Sequence, residues 1–144
     1  MIKRMEQENI REVAYLGNLL WKEASREELE AEFRQLINSE TNTVYLYFFY
    51  EIPIGFIHVS LRSEYVEGTT SSPVGYIEGI FVLKNYRKQF VGLRLFNAAC
   101  NWAKEHGAKE IASDCELDNE DSILFHKRIG FEEVNRIVCF KKDL

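Results

Sequence analysis

Apolar residues along this chain fall into runs with either the two-residue period of a strand or the helical period. Thr43–Tyr50 and Gly55–Leu61 are rich in β-branched and aromatic residues, and the proline-containing segment Glu51–Ile54 between them predicts the turn of a hairpin. Tyr76–Leu83 is a third apolar strand. It follows Arg62–Ser72, a polar, glycine-containing stretch that we expect to be a loop with a role in binding.

Helical spacing of apolar residues and local capping signals predict four helices. They cover Glu8–Leu20, a segment opened by a capping box at Ser25–Glu28, Gly92–His106 with Gly107 as its C-cap, and a segment from Asp118 or Asn119 to Arg128. Four further short strands are predicted at Ile2–Arg4, Lys109–Ser113, Phe131–Asn135 and Arg136–Lys141. This order predicts one α/β domain over residues 1–144, with helices flanking a single mixed sheet.

The amino-acid composition limits the kinds of ligand and cofactor that we expect the protein to bind. The net charge of −5 argues against nucleic acid and suits a cationic ligand. Cys100, Cys115 and Cys139 are widely spaced, and we expect reduced, mostly buried thiols in a cytoplasmic protein. No metal site is predicted, because the three histidines are isolated in the sequence. Neither a signal peptide nor a membrane-spanning segment is expected.

Most residues with a candidate catalytic or phosphate-binding role lie in the segment Tyr76–Leu95. An apolar strand that carries a single acid, Glu78, leads into a basic, amide-rich turn that opens a helix. Unpaired N–H groups at the positive end of a helix dipole bind phosphate, and Arg87 and Lys88 add positive charge at the same place. We therefore expect a pyrophosphate cradle beside a strand-borne carboxylate. That layout is typical of an enzyme that holds a phosphorylated acyl carrier next to an amine.

Three segments resemble the GNAT N-acetyltransferases, which transfer an acetyl group from acetyl-CoA to a primary amine. Arg87–Gly92 fits both ends of the family's phosphate-loop pattern, Gln/Arg-x-x-Gly-x-Gly/Ala. A second family pattern, in which His126 here replaces a tyrosine, matches at Asn119, Ser122, Phe125 and Gly130-Phe131. Tyr76–Val82 resembles the family's central strand, which splays from its neighbour. The resemblance implies an α/β (α+β) GNAT fold with a twisted, mostly antiparallel mixed sheet and splayed central strands.

A closer resemblance, over nearly the whole chain, is to the chromosomal-type aminoglycoside 6′-N-acetyltransferases. It is carried by Glu64–Val82, Leu20-Trp21, Ala112–Asp114 and Gly130–Glu133. The Ser71–Pro73 link into the following strand is the most discriminating piece, and this group also has a histidine at the tyrosine position. The resemblance implies acetyl-CoA as co-substrate, an aminoglycoside as acceptor, a homodimer and a role in antibiotic resistance.

The resemblance also assigns the acetyl-CoA site to a strand end, the phosphate loop and two helix starts. The residues are Ile80, Phe81, Val82, Arg87, Lys88, Gln89, Phe90, Val91, Gly92, Leu93, Arg94 and Asn119. The backbone of Ile80–Val82 is expected to pair with the pantetheine arm, and one of its N–H groups to polarise the thioester. Phe90 departs from the pattern, because glycine is usual there. A positive φ at this position would strain it by roughly 1–3 kcal/mol.

Three acids are candidates for the amine site. Glu78 is a candidate general base that removes a proton from the amine, directly or through water; alternatively it only binds the ammonium. Asp114, at the end of a strand, is expected to anchor a cation, with a capping or turn role as the alternative. A third acid, Glu132 or Glu133, is a candidate ligand for the substrate or a solvated charge at a strand edge.

Two aromatic residues and a histidine complete the predicted site. Trp21 and Tyr65 are expected to line the sugar pocket, although a tryptophan at a helix end also fits a core position. His126 is a candidate proton donor to the CoA thiolate, a pantetheine contact or a packed helix histidine. Two other functions stay open: acetylation of another small amine, such as a polyamine or an amino sugar, and a catalytically weak acetyl-CoA-binding module.

Overall fold

A five-stranded sheet forms the centre of the computed structural model, which describes all 144 residues. The strands are β1 (Ile2–Arg4), β2 (Asn42–Phe49), β3 (Ile52–Arg62), β4 (Val74–Val82) and β5 (Ile111–Ser113). The helices are α1 (Ile10–Leu20), α2 (Arg26–Leu36), α3 (Val91–Glu105) and α4 (Glu120–Arg128). The strands lie in chain order, antiparallel from β1 to β4, with β5 parallel to β4. The predicted mixed, mostly antiparallel sheet flanked by helices is therefore confirmed.

Two predicted helix caps are present. The Ser25 hydroxyl accepts a 3.1 Å hydrogen bond from the Glu28 N–H at the start of α2. The Asn119 side chain accepts one of 3.1 Å from the Ser122 N–H at the start of α4. Each cap satisfies an N–H group that the helix itself cannot pair. Asn119, rather than Asp118, is therefore the residue that begins the last helix.

The sheet separates two hydrophobic cores, because successive residues of a strand face opposite sides. On one side, Phe56 of β3 packs with residues of α1 and α2, among them Leu16 and Phe33. On the other side, Ile57 packs with α3 residues that include Leu95. All five side chains are buried, and their removal from water stabilises the three-layer arrangement. The sheet is thus a rigid support for side chains presented at its edges.

The hairpin between β2 and β3 is tighter than the sequence predicts. Its turn is Tyr50–Glu51 rather than Glu51–Ile54, and Tyr50 adopts a φ of +54°. Pro53 lies inside β3 opposite Phe48, where the register of the pair shifts. A register shift tolerates a proline, because the lost N–H has no regular ladder position to fill.

The two closing strands predicted at Phe131–Asn135 and Arg136–Lys141 are wrong. Residues 132–144, here called the C-terminal arm, make no backbone–backbone hydrogen bond. The apolar side chains of the arm are exposed, namely Val134, Ile137, Val138, Phe140 and Leu144. The arm has the composition of a strand but no neighbouring strand within the chain. Without such a partner, backbone groups cannot form a ladder.

The expectation of mostly buried thiols is also wrong. Cys115, in the loop after β5, and Cys139, in the C-terminal arm, are exposed, whereas Cys100 of α3 is partly buried. The three cysteines form no disulfide bond. No cluster of histidine, cysteine or acidic side chains is arranged to hold a metal ion. No helix has both the length and the apolar character that crossing a membrane requires.

Strands β4 and β5 diverge beside Glu78. Val59 pairs with Ile77 and His58 with Gly79, so the intervening Glu78 forms a bulge without a partner on β3. Such a bulge turns a side chain out of the regular alternation. On its other edge, β4 pairs with β5 only at the three residues before the bulge. The predicted splayed strand is therefore present, and it opens at the residue that carries the acid.

Candidate active site

Glu78 is held at the bulge by three hydrogen bonds from β3. The Ser60 hydroxyl donates to Oε1 at 2.6 Å, Arg62 Nε donates to Oε1 at 3.0 Å, and Arg62 Nη2 donates to Oε2 at 2.8 Å. Burial favours the neutral acid, but the hydrogen bonds from Arg62 and Ser60 outweigh it and hold the pKa of Glu78 below its ordinary value. The carboxylate at the opening between the strands is therefore ionised at neutral pH.

Asp114, directly after β5, belongs to the same network. The Tyr76 hydroxyl donates a hydrogen bond to Asp114 Oδ2. Burial and the bond to Asp114 raise the pKa of Tyr76, so its hydroxyl keeps the proton that it donates. The Arg62 guanidinium lies over the Tyr76 ring, 3.4 Å from its centroid. Glu78 and Asp114 are thus linked through Arg62 and Tyr76, and we call these four residues with Ser60 the acidic cluster.

Trp21 lies next to the acidic cluster. Its ring packs against Phe56, with centroids 5.8 Å apart, and covers the backbone of Gly79. It also lines a cavity of about 250 Å³ beneath α2, together with Phe33 and His58. The ring therefore has the core contacts of one interpretation, while its role in lining a sugar pocket stays a prediction.

His58 is a polar group at this cavity that the sequence analysis missed. Its Nε2 lies 2.8 Å from Asn42 Oδ1. Burial lowers the pKa of His58 to about 4, although the nearby Glu78 carboxylate opposes that shift. The imidazole is therefore neutral at neutral pH and adds no positive charge beside Glu78.

Ser60, Arg62 and Tyr76 were also missed, although a signal for them exists in the sequence. His58, Ser60 and Arg62 alternate with apolar residues along β3, which marks one polar face on a strand in the middle of the sheet. Once β3 and β4 are paired, that face meets Glu78. A polar row beside a single acid indicates a hydrogen-bond network, but recognising it requires the register between β3 and β4.

The phosphate loop presents a row of unpaired amides. The N–H groups of residues 88–93 have no backbone acceptor, and the first regular bond of α3 is from Arg94 N–H to the Phe90 carbonyl. Lys88 and Phe90 both adopt left-handed conformations, with φ of +61° and +65°. Alternating backbone of this kind directs successive N–H groups into one concavity suited to an anion. The N–H groups of Gln89 and Val91 belong to this row, and their role in binding pyrophosphate stays a prediction.

Phe90 carries the strain that its position in the pattern predicts. At φ +65° Phe90 lies in the left-handed region. Glycine adopts this region freely, but it costs a phenylalanine about 1–3 kcal/mol of conformational free energy. Residue 90 is 69% exposed, so its ring lies in solvent and does not pack against the core.

Two of the predicted phosphate-loop cations are engaged within the chain. Arg87 Nε donates to the Val82 carbonyl at 2.8 Å and ties the loop to the end of β4. Arg94 donates from Nη1 to the Tyr47 hydroxyl at 2.9 Å, which directs its guanidinium towards β2. Lys88 is exposed and forms no salt bridge.

Gly92 and Leu93 complete the start of α3. A Cβ on Gly92 would lie 2.9 Å from the ring of Phe125. The glycine therefore allows α3 and α4 to approach closely, in addition to its predicted place in the phosphate loop.

The edge of β4 over Ile80–Val82, on the side away from β3, has no neighbouring strand. Asn119 caps α4 through its side-chain oxygen, and its amide N–H₂ makes no hydrogen bond within the chain.

His126 links α4 to β5. Its Nδ1 lies 2.7 Å from the Ser122 carbonyl, and its Nε2 lies 2.8 Å from Ser113 Oγ. Because a carbonyl only accepts, Nδ1 carries a proton, and Nε2 then accepts from the Ser113 hydroxyl in the neutral ring. Both nitrogens are occupied, and the ring also packs against Phe131. This geometry favours the packed histidine over the proton donor.

Tyr65 and Glu133 lie apart from the acidic cluster. Tyr65 is exposed in the loop after β3, where its hydroxyl accepts a 3.4 Å hydrogen bond from the Gly68 N–H. Glu133 lies in the C-terminal arm and pairs with Arg136 and, at 3.9 Å, with Lys127. The hydrogen bond from Arg136 lowers the pKa of Glu133. Its carboxylate therefore neutralises cations of this chain, and it has no contact with Glu78.

A splayed mixed sheet, a row of free amides at the start of α3 and an ionised acid at the opening define an acyl-CoA-dependent N-acyltransferase fold. The model of the acetyltransferase (GNAT) family matches residues 13–131. The chain belongs to this family.

Relatives and solved structures resemble the chain over most or all of its length. It is 35% identical to an aminoglycoside N(6′)-acetyltransferase type 1 of Acinetobacter haemolyticus, over 99% of this chain and 98% of the relative. It is 40% identical to one of Acinetobacter baumannii, over 88% and 86% of the two chains. The structure of AAC(6′)-Iy in complex with the bisubstrate analogue CoA-S-monomethyl-acetylneamine superposes with a TM-score of 0.95 at 30% identity, covering 100% of this chain and 98% of that one.

Proposed function

We propose that this protein transfers the acetyl group of acetyl-CoA to the 6′-amine of aminoglycosides. The observation that carries the proposal is the pair of carboxylates, Glu78 and Asp114, held in one network where β4 and β5 part. A polycationic amine fits an ionised pair of acids beside a thioester site. The names of the relatives and the bisubstrate analogue in the AAC(6′)-Iy complex support the same acceptor.

The phosphate loop and the edge of β4 supply the acetyl-CoA site in this proposal. The N–H groups of residues 88–93 bind the pyrophosphate, and exposed Lys88 adds positive charge at the rim. The open edge of Ile80–Val82 accepts the pantetheine arm as an added strand, and Asn119 offers its free amide. Acetyl-CoA, when bound, provides the activated acetyl group.

Glu78 and Asp114 hold the amine in the proposed reaction. The amine arrives as an ammonium and loses a proton before it attacks the thioester. Since Arg62 lowers the pKa of Glu78, this carboxylate binds an ammonium well but is a weak base. It therefore assists deprotonation by directing an ammonium proton to water. Asp114, whose Oδ1 is free of the Tyr76 bond, adds a second negative charge that holds the same ammonium. Trp21 and Tyr65 offer flat apolar surfaces to the sugar rings.

We also propose a homodimer of single GNAT domains that span residues 1–144. Exposed apolar side chains on the C-terminal arm, with Phe140 91% exposed, support a partner that covers them. The outer edge of β5 has no neighbour in the chain and suits an added strand. The pairing of β1 with β2 supports including the residues that precede the family match in the same domain.

A role in antibiotic resistance and a cytoplasmic location follow from the proposed reaction. Acetylation removes a positive charge from the drug, and acetyl-CoA is a cytoplasmic metabolite. Three free cysteines agree with a reducing compartment. Expression in a susceptible bacterium is expected to raise the minimal inhibitory concentration of drugs with a 6′-amine.

Release of free CoA thiol, measured with acetyl-CoA and matched acceptors, tests the proposal. An aminoglycoside with a 6′-amine is expected to be acetylated, and an otherwise matched analogue with a 6′-hydroxyl is not. Mass spectrometry and NMR of the product then identify the acetylated nitrogen. Turnover of a polyamine or a simple amino sugar, without turnover of any aminoglycoside, would replace the proposed acceptor by another small amine. Acetyl-CoA binding without turnover of any amine would indicate a binding module.

A further inference from the structure

Arg62 is the only cation hydrogen-bonded within the acidic cluster. It is the last residue of β3, and both Nε and Nη2 donate to Glu78, at 3.0 and 2.8 Å. One face of the guanidinium lies on Tyr76, 3.4 Å from the ring centroid. A planar fork of this kind fixes the plane of the carboxylate as well as its charge, which a lysine cannot do.

The hydrogen bonds leave Glu78 with one open acceptor position. An ionised carboxylate has about four lone-pair directions. Oε1 accepts from Ser60 and from Arg62 Nε, and Oε2 accepts only from Arg62 Nη2. The remaining lone pair on Oε2 is the position at which Glu78 can receive an N–H of an amine.

Arg62 also sets the charge that an incoming ligand meets. Glu78 and Asp114 contribute two negative charges and Arg62 one positive charge, which leaves a net charge of −1 for the cluster. Two other titratable groups face it without adding charge. His58 on β3 is neutral at neutral pH because its pKa is about 4, and Tyr76 keeps its proton. One ammonium therefore neutralises the cluster.

We propose that Arg62 is a positioning residue for acetyl transfer. It stays bound to Glu78 while the amine binds, and it directs the open lone pair of Oε2 to the amine. Its positive charge also limits the cluster to one ammonium. This inference rests on the proposed function. The charge of Arg62 opposes cation binding and so raises KM, whereas its fork orients the carboxylate and so raises kcat. These two contributions can be separated by substitution.

Steady-state kinetics of Arg62→Gln and Arg62→Lys, with an aminoglycoside varied at saturating acetyl-CoA, separate charge from geometry. Arg62→Gln removes both, and we expect KM to fall about 3- to 10-fold and kcat to fall about 10- to 100-fold. Arg62→Lys keeps the charge but loses the fork, so KM stays within about twofold of wild type while kcat remains low. A purely structural role would instead raise KM and lower kcat in both variants.

Two further variants serve as controls. Ser60→Ala removes one hydrogen bond to Glu78 without a change in charge, so kcat falls several-fold and KM is unchanged. Arg136→Gln removes the other arginine that bonds a glutamate, Glu133, outside the cluster, and both constants stay at wild-type values. Circular dichroism melts of all variants identify any loss of folding.

A titration of Glu78 tests the same geometry without turnover. Carbon-13 NMR of the Glu78 carboxyl in Arg62→Gln is expected to give a pKa above that of wild type, because burial then acts without the opposing guanidinium. An unchanged pKa, or wild-type kcat in Arg62→Gln or Arg62→Lys, would overturn the inference. A rise in kcat together with lower KM in Arg62→Gln would overturn it as well, because Arg62 would then be a competitor that the substrate displaces. Absence of turnover in the wild-type protein would refute the proposed function and Arg62's role in transfer with it, whereas the titration would still show whether Arg62 holds the Glu78 carboxylate.

Discussion

The indole ring of Trp21 lies directly over Gly79, the residue that follows the acid Glu78. A methyl group on residue 79 would overlap carbons of that ring. The absent side chain thus lets a helix-end aromatic pack on the strand that carries the acid, and it links the core under α1 to the geometry of the acidic cluster.

Gly79→Ala is expected to destabilise the protein by about 1–3 kcal/mol, because the new methyl forces Trp21 out of its position. Urea unfolding measures the change. In a Trp21→Phe background the smaller ring leaves room, and the same substitution is expected to cost clearly less. Equal costs in the two backgrounds would show that the contact between the two residues is not responsible.

Phe90→Gly is expected to stabilise the protein, because it relieves a left-handed phenylalanine. The relief of about 1–3 kcal/mol exceeds the extra backbone entropy of glycine in the unfolded chain, about 0.5–1 kcal/mol. Phe90→Ala is the matched control, since it removes the exposed ring but keeps the Cβ that causes the strain. Thermal unfolding of the two variants should therefore diverge. Similar melting temperatures for both variants would show that the change in stability comes from loss of the ring rather than from relief of backbone strain.

His58 is expected to make stability depend on pH. Its folded pKa of about 4 lies below the ordinary 6.5, so the unfolded chain binds the proton first as pH falls. The stabilisation is complete above about pH 6.5 and is lost progressively down to about pH 4, with a total on the order of 3 kcal/mol. Urea unfolding across this range should show the slope in wild type and a reduced slope in His58→Gln. An identical slope in the variant would contradict the assignment.

Phe140→Asp is expected to weaken the proposed dimer without unfolding the protomer, since this side chain is 91% exposed within one chain. Light scattering after size exclusion gives the mass. Tyr50→Asp is the control, because Tyr50 is also exposed, at 83%, but lies in the hairpin turn. The control should keep the mass of wild type. A wild-type protein that is monomeric at micromolar concentration would refute the dimer.

The sequence predicted those parts of the fold that depend on local signals. The caps at Ser25 and Asn119 and the strained position of Phe90 follow from short-range chemistry, and the structure contains all three. The C-terminal arm was mispredicted because strand composition says nothing about whether a partner strand is present. Its apolar residues satisfy the pattern but not the hydrogen bonding.

The acidic cluster was predicted only in part, for a related reason. Glu78 stands out as the single acid of an apolar strand and Asp114 as an acid at a strand end, whereas Arg62 lay in what was predicted to be a loop. It belongs to β3 instead, and the bulge at Glu78 fixes which β3 side chains it meets. Register and bulges depend on long-range pairing, which residue patterns alone do not determine.

The central claim is that the Glu78 carboxylate holds the reacting amine, and Glu78→Gln tests it most directly. Glutamine keeps the size and a hydrogen-bond acceptor but removes the charge. We expect kcat/KM for an aminoglycoside with a 6′-amine to fall about 100-fold or more, while the affinity for acetyl-CoA, measured by calorimetry, stays within about twofold. A Glu78→Gln protein that retains wild-type kcat/KM would contradict the account.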